Sequence, residues 1–245
     1  MKTIVLAFAL FVSLVSWAKN KPRILVFSRT TGYHHAAIPD GIAAIQALGA
    51  QKGFDVDTTT NRDWFRDDVL KKYAALVFLN TTDSGRTLLS PNGELALQRY
   101  IRAGGGFVGV HAATDAEYTW DWYGKMIGAY FESHPKQQEA TLNIVDRSHA
   151  ATKGLPKIWR RWDEWYNFKN LSNEIHVLIT IDEKSYTGGK NGDHHPMAWY
   201  HEFDGGRVFY TELGHTPESY KDPLYLCHLA GGIAYAIGKN RKLHY

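Results

Sequence analysis

The chain has 245 residues, 44% of them apolar and 22% charged, a globular balance that excludes intrinsic disorder. The formal charge is +3 without a long Lys/Arg run, so nucleic acid lacks the electrostatic footprint it would need as a partner. A single Cys excludes a disulfide scaffold and a Cys-rich zinc module, whereas 12 His, 8 Trp, 14 Tyr and 11 Phe leave His/carboxylate metal chemistry and aromatic-lined sites open.

Residues 1–18 read as a secretory signal. Lys2 supplies the positive start, residues 4–15 a short apolar run, and Ser16-Trp17-Ala18 a small-x-small cleavage site. The expectation is export to a periplasm or the cell exterior, with residues 19–245 as one domain. A retained N-terminal anchor is the alternative. No later stretch reaches the length of a membrane span.

Residues 23–27 form an apolar run of strand type, followed by a polar loop over 28–37. Ile38, Ile42, Ile45 and Leu48 make a helical stripe over 38–53. Strands are predicted at 54–58 and 74–79. Ser90-Pro91 sets an N-cap and a first-turn Pro for a helix to residue 103. Gly104-Gly105-Gly106 ends that helix, and 107–111 reads as a buried strand. These glycines precede a strand, so they are no phosphate loop, which follows a strand and opens a helix. Thr114-Asp115-Ala116-Glu117 has the form of a capping box, predicting a helix right after the strand. The second half is strand-like at 140–145, 177–181, 197–203 and 207–211, with Asp204-Gly205-Gly206 as a hairpin turn. Asp222-Pro223 opens a last helix to residue 237, and Cys227 within it is expected to be a buried small hydrophobe. Strands alternating with helices predict a three-layer α/β domain, its sheet mostly parallel with an antiparallel extension.

In open α/β sheets, ligands bind beyond the carboxyl ends of the strands. That rule selects the loop 28–35, the segment 80–83, His111, and Glu212-Leu213-Gly214-His215. Three of the four deliver histidine to one edge. Gly109-Val110-His111-Ala112-Ala113 has the small residues of a nucleophile elbow, with His at its centre. His111 is therefore a candidate base or metal ligand, its neutral form favoured by the helix expected to start nearby. Asp163 and Glu164 could ligate a metal, move a proton, or pair with Arg160 and Arg161. Of each neighbouring pair, His34/His35 and His194/His195, at most one member should face the site. His149, His176, His228 and His244 read as satisfied core or surface residues.

The segments Thr30–His35, Gly104–Asp115 (GGGFVGVHAATD), Gly128–Pro135 (GAYFESHP), Asp163–Phe168 (DEWYNF), His195–Tyr200 (HPMAWY) and Gly205–Thr216 (GGRVFYTELGHT) together resemble the trehalose-utilization (ThuA-like) family. That family is similar in fold to the class I glutamine amidotransferases, which agrees with a flavodoxin-like parallel sheet. The resemblance puts His111 where the amidotransferases carry a catalytic Cys, and His215 near their catalytic His. Glutaminase activity is then not expected. Tyr33-His34 replaces the more usual Phe-Arg, and Ala37 stands where Ser is common. The resemblance implies a small-molecule carbohydrate ligand, notably a 3-keto sugar, and a possible homo-oligomer. The implied catalytic set is His111, Glu164, His215 and Asp115, and the substrate set is His35, Tyr166, His195 and Trp199. A divalent metal (Zn, Mn, Fe or Ni) would be held by His111, His134, His215 and Glu164. The other readings are a non-catalytic carbohydrate-binding or sensing protein on the same fold, and, less in keeping with export, a protein-interaction partner of another enzyme.

Overall fold

The computed structural model describes residues 21–85, 88–238 and 243–245. The secretory signal expected over residues 1–18 lies outside the described residues. In chain order the elements are β1 (Arg23–Phe27), α1 (Ile38–Lys52), β2 (Asp55–Thr59), α2 (Asp67–Leu70), β3 (Ala75–Leu79), α3 (Pro91–Arg102), β4 (Gly106–Val110) and α4 (Asp121–Ile127). There follow β5 (Tyr130–Ser133), β6 (Gln138–Ile144), β7 (Ile158–Asp163), β8 (Asn167–Lys169), β9 (His176–Ile181), β10 (Pro196–Phe203), β11 (Gly206–Thr211) and α5 (Pro223–Ile237). Nine strands form one sheet in the order β2-β1-β3-β4-β11-β10-β9-β6-β7, and β5 pairs with β8 apart from it. From β2 to β11 every pairing is parallel; from β11 to β7 every pairing is antiparallel. The predicted antiparallel extension thus makes up half of the ladders.

The parallel strands β3 and β4 are buried along their whole length, as strands covered on both faces must be. On one face Phe209 meets His228 and Gly232 of α5. On the other, Phe78 and Phe107 meet Tyr123 of α4, while Phe65 joins Phe78 and packs under Gly93 of α3. Helix and sheet layers are held by these aromatic contacts, each worth more than its buried area alone. Ser90 caps α3 by accepting from the Gly93 N–H, and Asp222 caps α5 by accepting from the Leu224 N–H. Asp204 and Gly205 both take positive φ (50° and 93°), which gives the hairpin turn the twist its strands require.

Two expectations change, and one strand appears that the sequence did not announce. The capping box does not start a helix. His111–Thr114 is a short 3₁₀ turn, and α4 begins only at Asp121. Thr114 Oγ1 bonds the Tyr210 hydroxyl, and Glu117 accepts from the Leu89 N–H, so both side chains are spent on tertiary contacts. Cys227 is exposed, because the residues that α5 buries are its neighbours His228 and Leu229. Finally, β7 carries no readable period of apolar residues, since its inward positions include Arg161 and Asp163 while Ile158 and Trp162 face solvent.

A candidate metal centre at the carboxyl edge of the sheet

Four strands converge on one point. His35 follows β1, His111 follows β4, His215 follows β11 and Glu164 follows β7. Reversals at β10, β9, β6 and β7 leave β7 running the same way as β11, so its carboxyl end reaches the same edge. One ligating atom from each of these four residues lies within 4.8 Å of the others. His35 and His111 are buried, as is Glu164, and His215 is nearly so.

His111 sits at φ 48°, the left-handed region a side chain enters only when its surroundings insist. Its carbonyl accepts from the Tyr210 hydroxyl at 2.7 Å. Its Nδ1–H donates to the Glu212 carbonyl at 2.6 Å. That bond fixes the ring and turns Nε2 toward His215 Nδ1, 3.0 Å away, and Glu164 Oε2, 3.4 Å away. His215 Nδ1 is 3.2 Å from the same carboxylate oxygen, and its Nε2 faces the Gln137 amide at 2.8 Å. The His35 ring stands edge-on to His111 and His215, with centroids 5.0 and 5.1 Å distant. Its Nδ1 is buried with no hydrogen-bond partner among the described residues. An orphaned imidazole nitrogen beside two more imidazoles and a carboxylate is a donor set that fits a divalent cation. His111 also has the second partner on its other nitrogen that metal-bound histidines need.

At His35 the electrostatics favour a ligand. Burial, together with His111 and His215, lowers His35 to about 2, so it is the neutral imidazole a metal takes. Burial alone would lower His111 as well. Hydrogen bonds to Glu164 and Glu212 outweigh it and raise His111 to about 10. The neutral ring expected from a helix N-terminus is not favoured: only a short 3₁₀ turn opens there, and the two carboxylates favour the charged imidazole, which gives up a proton before it can take a metal. Burial would raise Glu164, but His111 and His215 hold it well below the usual carboxylate range. The centre thus pairs negative charge with donors that a cation would replace.

The other expected residues fall in three places. His134, expected as a ligand, stands at the rim, its Nδ1 3.1 Å from Glu164 Oε1; it lies outside the four-residue cluster, which takes His35 instead. Asp115 is half-buried, accepts from the Tyr118 hydroxyl at 2.5 Å, and is raised by burial. Tyr166 lays its ring against that of His111, with centroids 4.3 Å apart. His195 and Trp199, expected to touch substrate, are fully buried in the interior. His195 is wedged between the Tyr166 carbonyl (2.7 Å) and the Glu183 carboxylate (2.8 Å). The Trp199 N–H donates to the Ile127 carbonyl, and its ring packs on Tyr210. Their role is to back the site from behind. His34 and His194 are exposed, so one of each neighbouring pair turns inward. Arg160 pairs with Glu139 at the surface, and Asp163 pairs with Arg161 inside. Sequence reasoning missed Gln137, and it selected Glu212 with its strand end without giving it a role. Glu212 had a signal, lying at a strand end three residues before His215; Gln137 had none.

The family described as trehalose utilisation, ThuA, matches residues 23–236. The chain belongs to the ThuA family. Among solved structures it is similar to a putative ThuA-like protein from Bacteroides uniformis, with 21% identity and a TM-score of 0.76 over 95% of this chain and 98% of that one. A putative ThuA-like protein from Parabacteroides merdae gives 20% identity and a TM-score of 0.73 over 89% and 90%. A putative GMP synthase component from Thermoplasma acidophilum gives 11% identity and a TM-score of 0.50 over 88% and 96%, a likeness of fold that places this ThuA protein among the glutamine amidotransferase-like folds. No curated protein sequence matches the chain.

Proposed function

We propose that this ThuA-family protein is a metal-dependent enzyme acting on a sugar, disaccharide or 3-keto-glycoside by lyase, isomerase or hydrolase chemistry. The observation that carries the reading is the convergence of His35, His111, Glu164 and His215 on one point, His35 having a buried Nδ1 without a hydrogen-bond partner among the described residues. A divalent ion held by these four supplies Lewis-acid polarisation of a carbonyl or hydroxyl oxygen. Glu212 fixes the tautomer of His111 through its carbonyl, and the Gln137 amide N–H donates to His215 Nε2 and holds that ring in place. Asp115, four residues beyond His111 and raised by burial, would take or return a proton beside that oxygen. Phe131, half-buried and packed at 4.3 Å on the buried Tyr166 ring, offers a face on which a sugar ring can stack. The elbow carries imidazole in place of a thiol, so glutamine hydrolysis through an acyl-enzyme is not part of this reading.

The leader over residues 1–18 supports export, and fractionation of cells expressing the full chain tests it. Metal analysis tests the centre. Purified protein is expected to hold about one divalent ion per chain, and His111→Ala to lose it. Full occupancy in that variant removes His111 from the ligand set. Calorimetry showing sugar binding indifferent to chelation, with no turnover of 3-keto-glycosides, would return the protein to the non-catalytic binding class.

A further inference from the structure

Behind the centre lies a buried ion pair. Asp163, the last residue of β7, is fully buried. Its Oδ2 accepts from Arg161 Nη2 at 2.9 Å, from the Ser219 hydroxyl at 3.1 Å and from the Gly214 N–H at 3.2 Å. Its Oδ1 accepts from the Glu164 N–H at 3.1 Å. One carboxylate therefore grips the backbone of Glu164 and the backbone immediately before His215. These segments come from strands at the far edge and the middle of the sheet. Arg161 is held in turn by Ser219 at 2.7 Å, by Asp222 at 3.5 Å, and over the rings of Trp159 and Tyr225.

Stability alone does not account for this arrangement. Burying two charges costs several kcal/mol per ion, and well-packed apolar residues often serve as well or better. An apolar pair at these positions would leave the Gly214 N–H without its acceptor. It would also leave two ligand-bearing segments free to slide relative to each other. A displacement of about 1 Å is enough to spoil a site of this kind.

We infer that Asp163 is a positioning residue for the metal centre, setting Glu164 and His215 in register through their backbones. The inference rests on the metal-centre reading above. The test is a titration of the purified full chain with Co(II), reading both affinity and the visible d–d bands that report ligand geometry. Asp163→Asn is expected to keep its far-ultraviolet circular dichroism, to bind Co(II) about 10–100-fold more weakly, and to shift the bands. Ser90→Ala, which loosens α3 far from the network, serves as the stability control and should leave both readouts unchanged. An Asp163→Asn variant with wild-type affinity and bands, lower only in stability, would overturn the inference while leaving the metal centre standing. Wild-type protein that binds no Co(II) would overturn both. Should Asp163→Asn fail to fold, Ser219→Ala removes one anchor and keeps the charge pair. About fivefold weaker binding is then expected, the worth of one neutral hydrogen bond, and unchanged binding overturns the inference.

Discussion

Gly214 shows how much one residue decides at this site. It sits at φ 112°, and a Cβ there would lie 2.4 Å from the Tyr225 hydroxyl and 2.9 Å from that of Tyr220. Its carbonyl accepts from Asn80 Nδ2 and from the Tyr220 hydroxyl, so the turn cannot shift to make room. Gly214→Ala is therefore expected to cost about 1–3 kcal/mol in urea unfolding and to weaken metal binding by moving His215. Undiminished metal occupancy in a destabilised variant would separate the two effects. The same scale explains which candidate residues the sequence could not sort. His35 and His134 both sit in matching motifs, and only the fold decides that His35 closes the cluster while His134 stands at the rim. His195 and Trp199 occupy a motif segment as distinctive as any, yet both are spent inside, on Tyr166 and Ile127.

At the scale of elements, β7 is the strand that no periodicity announces. A half-buried strand is recognised by apolar residues on alternate positions. In β7 the alternation is present, but its inward members are Trp159, Arg161 and Asp163. Arg161→Met would strand the Asp163 carboxylate without its cation, and a loss of about 3–5 kcal/mol is expected in denaturant unfolding. A loss below 1 kcal/mol would mean that the three remaining donors suffice. Helix α3 is the opposite case, legible from its cap. Ser90→Ala removes the acceptor for the Gly93 N–H and is expected to cost about 1 kcal/mol, visible as a lower midpoint with an unchanged slope. The capping box after β4 misleads for a local reason. A Thr and a Glu at the right spacing form a box only if no better partner is near, and Tyr210 and the Leu89 N–H are nearer.

For the whole molecule, acid sensitivity follows from a histidine outside the site. His228 is fully buried in α5, and burial above all lowers it to about 4 from an ordinary value of 6.5. Its Nδ1–H donates to the Ala151 carbonyl, and its Nε2 accepts from the Thr211 hydroxyl, so the neutral ring is satisfied and the charged one is not. Between pH 6.5 and about 4 the unfolded chain takes up a proton here that the folded chain refuses. The stability this group contributes is complete above pH 6.5 and is lost as pH falls through that window, by about 1.4 kcal/mol per pH unit at most. His228→Gln, which does not titrate, is expected to flatten the wild-type slope of unfolding free energy over that window. Equal slopes in the two proteins would show that His228 is not the sensor.

The sequence by itself determined the elements that local rules govern. The apolar runs of β1, β3 and β4, the capped helices α3 and α5, and the Asp204-Gly205 turn follow from burial, cap chemistry and positive φ, all of which act within a few residues. It also placed His111 and His215 at one sheet edge, because strand ends in a parallel sheet share a side. Tertiary structure alone decided the rest. The number of reversals in the antiparallel extension brings Glu164 to that edge, and the same strand β7 sets Arg161 over Tyr225 of α5 and Asp163 against Ser219. The orphaned nitrogen of His35 and the second partners of His111 and His215 arise from contacts between residues more than 70 positions apart in the chain. No spacing rule reaches that far, since such contacts depend on how the layers pack and not on what precedes or follows each residue.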